Sequence, residues 1–117
     1  MILGIGTRRG VTSQEVIDAV NEALREINTE PGSVHSLASA KMKEHEAGLL
    51  EAALVLGIGI EFVPHDILNK FDAPSASQAN RFGLNGVAEP AALALSDNKE
   101  LILRKRVYGR ITIAIAQ

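Results

Sequence analysis

Three short stretches of this chain concentrate side chains that bind anions. The first follows a glycine-rich run near the start, Gly4-Ile5-Gly6-Thr7-Arg8-Arg9-Gly10. The second is Lys41-Met42-Lys43-Glu44-His45-Glu46, and the third is Arg104-Lys105-Arg106-Val107-Tyr108-Gly109-Arg110. The formal net charge of the whole chain is -2, so these clusters are local features and not the overflow of a basic protein. Arginine and lysine clamp carboxylates and phosphates well, arginine with a planar fork that can meet both oxygens. The candidate ligand contacts are therefore Arg8, Arg9, Lys41, Lys43, Lys105 and Arg110, with Ser39 and the N–H groups around Gly6 and Gly10 adding hydrogen bonds. The competing reading is a set of solvated loops and a charged edge hairpin that resists aggregation.

Other chemistry is harder to place. Gly4-x-Gly6-x-x-x-Gly10 is not the dinucleotide fingerprint, because its third glycine falls one residue late. No acidic residue stands after the second strand where a ribose would need one, and no P-loop is present, so neither NAD nor ATP is expected. The glycines instead suit a tight strand-to-helix turn or free N–H groups at a helix start. The imidazoles are His35, His45 and His65. His45 lies between Glu44 and Glu46, which makes His45 and Glu46 the candidates for a general base. No His-Glu-x-x-His or similar spacing occurs, and no metal site is expected. Cysteine is absent, which removes thiolate nucleophiles and cysteine zinc sites. No serine sits in a nucleophile elbow, and Ser75 and Ser77 read as turn or capping residues.

These residues need a scaffold. The 117 residues, 46% hydrophobic and 22% charged, suit one compact domain over 1–117 with an ordinary core. Aromatics are 3%, thin for stacking nucleic-acid bases, and no apolar run is long enough to span a membrane. The chain reads as cytoplasmic, with neither nucleic acid nor membrane as a partner. Met1 to Thr7 suits a buried strand. Thr12 and Glu15 form a capping box, followed by Val16, Ile17, Val20, Ala23, Leu24 and Ile27 at helical spacing, with a stop at Pro31-Gly32. Val34 to Ala40 reads as a strand, Glu46 to Leu56 as a helix ended by Gly57, and Ile58 to Phe62 as a strand closed by Pro64. Short helical turns divided at Asp72-Ala73-Pro74-Ser75 are expected over 65–86. Val87 to Leu95 reads as a helix that tolerates Pro90 in its first turn. Leu101 to Leu103 and Ile111 to Ala116 read as strands with Tyr108-Gly109 at the turn.

That order predicts an α/β fold: a three-layer α/β/α sandwich whose mixed, mainly parallel sheet of about five strands ends in a C-terminal hairpin. Ligands of such sheets collect beyond the carboxyl ends of the parallel strands. The first two basic segments land there, as does His65-Asp66. The third joins them if the fourth strand runs the same way.

Taken together the motifs resemble a family of cobalamin (vitamin B12) biosynthesis, formed by CobE and the C-terminal domain of CbiG. The resemblance rests on Gly4 to Gly10, on Leu37 to Leu49, on Gly86 to Leu93 and on Lys105 to Ala116, in the family's order and over nearly the whole chain. It implies an α/β/α domain that meets corrin-ring intermediates, whose acetate and propionate side chains suit the basic rim. Lys41 and His45 stand where many CbiG-type relatives carry acids, so no role of those acids carries over. Lys43, Glu46 and Gly48 keep the pattern.

Two functions follow from the resemblance. A CobE-like protein would bind or hand on corrin intermediates, with other cobalamin-pathway enzymes as possible partners and a homodimer left open. A split CbiG-type hydrolase would open the lactone of cobalt-precorrin-5A and release acetaldehyde, with Glu46 or His45 as the base. A purely structural or partner-binding module is the third reading. No cofactor is implied.

Overall fold

The structure, a computed structural model, describes residues 1–71 and 86–117. Five strands form one sheet: β1 (Ile2–Thr7), β2 (Ser36–Ala40), β3 (Ile60–Val63), β4 (Leu101–Tyr108) and β5 (Ile111–Ala116). Their order across the sheet is β3-β2-β1-β5-β4. β1 pairs in parallel with β2, and β2 with β3, while β5 runs antiparallel to both β1 and β4. Being antiparallel to β5, β4 points the same way as β1, β2 and β3. The α/β sandwich with a mixed sheet and closing hairpin is as expected, and the condition that β4 share the direction of the first strands is met.

Helices cover both faces. α1 (Ser13–Glu26) and α2 (Ala47–Leu56) lie on one side, where Val16, Val20, Leu24, Leu49 and Ala52 meet Leu3, Ile5, Leu37, Ile113 and Ile115. α3 (His65–Leu68) and α4 (Ala88–Leu95) cover the other side, where Leu68 and Ala91 meet Ile2, Ala38, Ala40 and Val63. α1 starts as the sequence dictates: Thr12 accepts the Glu15 N–H at 3.1 Å and Glu15 returns the bond to the Thr12 N–H at 3.0 Å. Both bonds satisfy backbone donors that have no partner inside the helix. α2 ends at Gly57, whose φ of 71° places it in the left-handed region, and the Ile58 N–H reaches back to the Ala53 carbonyl.

Some boundaries differ from expectation. Ile58 is taken up in closing α2, so β3 begins at Ile60. β4 continues through Arg104 to Tyr108 where a shorter strand was predicted. Its two register shifts, between Leu101 and Leu103 and between Leu103 and Arg106, break the two-residue alternation that would have revealed a strand. The predicted break at Asp72-Ala73-Pro74-Ser75, with Ser75 and Ser77, lies outside the described residues. No helix among the described residues is long and apolar enough to cross a membrane.

Candidate functional site at the carboxyl edge of the sheet

Four strands end at one edge, and the basic residues there fall into two groups. In the first, the cations are spent on the protein itself. The Arg110 guanidinium meets both oxygens of Glu15, its Nε lying 3.0 Å from Oε2, and its Nη2 reaches the Gly10 carbonyl at 3.4 Å. Behind the edge, within β4, Arg106 pairs with Glu26 at 3.3 Å, and Tyr108 donates to the same carboxylate. Lys41 pairs with Glu44 at 3.3 Å. In the second group, Arg8, Arg9 and Lys43 make no ion pair among the described residues, and both arginines are exposed.

The loop that carries Arg8 and Arg9 is tightly held. The Arg8 N–H donates to the Arg110 carbonyl at 3.1 Å, extending the β1–β5 ladder past the strand end. Gly10 adopts a φ of 82°, a conformation that costs glycine little and other residues more. Its N–H donates to Glu46 Oε1 at 2.6 Å. One residue on, Val11 lies so close to α2 that a Cβ on Gly48 would stand 2.1 Å from the Val11 carbonyl oxygen. Gly48 is thus required by backbone contact between the loop and the helix start.

Electrostatics reinforce this frame. The paired Arg110 guanidinium, and next the Thr12 N–H, hold the Glu15 carboxyl down at about 2, well below its ordinary 4.5. The same pair raises Arg110 further. Burial, and then the Glu26 carboxylate, push the Tyr108 hydroxyl up. Glu15, Arg110 and Tyr108 therefore keep their charge states across the physiological range.

Several predicted contacts sit elsewhere. Ser39 is fully buried and its hydroxyl donates to the Ile5 carbonyl at 2.7 Å, tying β2 to β1. Gly6 lies within the ladder opposite Thr112. The Gly10 N–H is taken by Glu46. Lys105 lies in mid-strand, with its N–H donated to the Glu89 carboxylate at 3.0 Å. Of the hairpin, then, the part that reaches the rim is the end from Tyr108 to Arg110. His45 has a side chain 92% exposed and lies 3.6 Å from Glu44. Nothing buries or orients that imidazole as a base would require.

Two features escaped the sequence reading. Met42 is 75% exposed, an apolar side chain between two lysines at the rim. Thr7, 2% exposed at the end of β1, has a buried hydroxyl with no hydrogen-bond partner among the described residues, a costly state that is uncommon in folded proteins. The flanking lysines could have drawn attention to Met42; nothing local announces Thr7. No three His, Asp or Glu side chains converge as a metal site among the described residues. The arrangement offers an exposed apolar contact and unpaired cations on a stiff loop, which can bind an anionic ligand by charge-assisted hydrogen bonds.

Known proteins are similar to this chain over nearly its whole length. The family model described as cobalamin synthesis G C-terminus matches residues 1–116. A cobalt-precorrin-5A hydrolase from Priestia megaterium is 31% identical over 99% of this chain, which spans 32% of the hydrolase's length. Protein CobE from a Sinorhizobium species is 30% identical over 99% of this chain and 79% of its own. The crystal structure of CobE, from the cobalamin biosynthetic pathway, superposes with a TM-score of 0.85 at 30% identity, covering 97% of this chain and 86% of that one. A family model that matches residues 1–116 and the likeness to CobE in sequence and fold agree, and the chain belongs to the cobalamin synthesis G C-terminus family, alongside CobE.

Proposed function

We propose that this chain is a cytoplasmic, CobE-like protein, a single domain that binds corrin-ring intermediates of cobalamin biosynthesis and hands them on. Arg8, Arg9 and Lys43, with Lys41 exchanging Glu44 for ligand, meet peripheral carboxylates, and Met42 rests on the apolar macrocycle. The observation that carries the reading is the pair of exposed, unpaired arginines on a loop held from three sides. Binding then spends little on ordering the loop, which is the usual loss in loop-mediated recognition.

The test is calorimetric and visible-absorbance titration with cobyrinic acid, a corrin with free carboxylates, and with its neutral methyl ester. The acid should bind and the ester should bind much more weakly. Replacing Arg8 and Arg9 together by Ala should weaken acid binding by about 1 kcal/mol per charge, roughly thirtyfold in all. Equal binding of acid and ester, or no change in the double variant, would remove the rim from the account.

The 31% identity to a cobalt-precorrin-5A hydrolase over nearly the whole chain favours one second reading, the C-terminal part of a split hydrolase. Incubation with cobalt-precorrin-5A, alone and with a chain supplying the remainder of such an enzyme, distinguishes the two. Release of acetaldehyde supports the hydrolase, whereas binding with the spectrum intact supports the carrier.

A further inference from the structure

Glu46 occupies the position just before the first residue of α2, where a polar side chain ordinarily caps the free N–H groups of its own helix. It does not: α2 has no side-chain cap. Its carboxylate reaches instead across 36 residues of sequence to the Gly10 N–H, at 2.6 Å. That bond fixes the plane of the Arg9–Gly10 peptide. On the far side of the same glycine, Arg110 holds the Gly10 carbonyl. Gly10 is the loop's positive-φ residue, its most permissive joint, and it is gripped at both its N–H and its C=O. Next to it, Gly48 lets Val11 sit against α2.

We infer that Glu46 is a positioning residue, which holds the Arg8–Arg9 loop in the shape that receives carboxylates and is not a general base. Two adjacent guanidiniums repel each other, and a carboxylate bonded at the root of the loop offsets that repulsion where the backbone could otherwise swing. The helix start beneath it favours the same negative charge. Arg110 acts with Glu46, as a backbone holder and not as a ligand contact. The inference rests on the corrin-binding reading for the identity of the ligand, and on the geometry alone for the clamp.

The experiment compares wild type, Glu46→Ala and Glu46→Gln in cobyrinic acid titration and in hydrogen exchange of the Gly10 amide. Glu46→Ala should weaken binding about tenfold, the value of one charge-assisted hydrogen bond, and should speed Gly10 exchange while leaving the circular dichroism unchanged. Glu46→Gln keeps an acceptor oxygen without the charge and should restore part of both. A Glu46→Ala variant that binds and exchanges like wild type overturns the clamp. So does a Glu46→Gln variant that binds normally but loses all acetaldehyde release from cobalt-precorrin-5A, since that result marks a base. If wild type fails to bind cobyrinic acid, the corrin reading falls, and Gly10 exchange in the two variants still decides the clamp.

Discussion

Under α1 and α2 the sheet presents Leu3, Ile5, Leu37, Ile111, Ile113 and Ile115; on the opposite face it presents Ile2 and Val63 but otherwise small residues, Gly4, Ala38, Ala40, Thr112, Ala114 and Ala116. On the first face volume comes from branched side chains that interdigitate with those of two helices. On the second, the helix backbone itself fills the space. A Cβ on Gly4 would stand 2.0 Å from the Ala88 carbonyl oxygen and 2.8 Å from the Ala92 nitrogen. One strand can serve both designs because its residues alternate in direction. The lesson is that a run of small residues in a strand can mark the closest packing in a protein as well as a weak strand.

The contrast can be broken from either side. Gly4→Ala adds a single carbon where only backbone can yield, and should cost about 3 kcal/mol in urea unfolding, at the upper end of ordinary overpacking. A loss under 1 kcal/mol would mean that α4 can lift from the sheet. Ile113→Val removes a single carbon from the other face and should cost about 1 kcal/mol, because neighbouring side chains relax into part of the space. If the two costs came out equal, the faces would not differ as described. The smallest effect concerns the rim end of the α1 face. Glu15 binds its proton at about 2 in the folded chain against an ordinary 4.5, so the unfolded chain takes up the proton first as the pH falls. The stability contributed by the Glu15–Arg110 pair is complete above about pH 4.5 and fades toward pH 2. Glu15→Gln should flatten that part of the stability curve without altering stability on the α4 side.

Much of this architecture was legible where one residue type has one good local explanation. The Thr12–Glu15 capping box and the Gly57 terminator formed where expected, because each satisfies its bonds within a few residues of chain. The short apolar run from Met1 to Thr7 announces β1, though not how near α4 lies. What could not be read depends on residues far apart in sequence. Arg110 was counted as a ligand contact because nothing near it in the chain reveals Glu15, 95 residues away. Ser39 was placed on the rim by its position in a strand, yet its side chain turns inward to Ile5. Glu46 is, with His45, a candidate base in the hydrolase reading; the Gly10 N–H that its carboxylate accepts appears only in three dimensions. The sequence around Arg8 and Arg9 says nothing of the frame that holds their loop.

The strand order carries one more consequence, for how the chain comes into being. Of the five strands in this sheet β1 is made first, yet its full-length antiparallel neighbour, from Ile2 opposite Ala116 to Thr7 opposite Ile111, is made last. In a nascent chain, one flank of β1 therefore has no partner in the sheet until residue 116 has emerged. β4, made just before, has no seat in the sheet until β5 arrives to join it to β1. Pairings of such long sequence separation form late and slowly. Translation that stalls ahead of Ile111 leaves the apolar strand Ile2–Thr7 as a bare edge, the kind of surface on which chains aggregate.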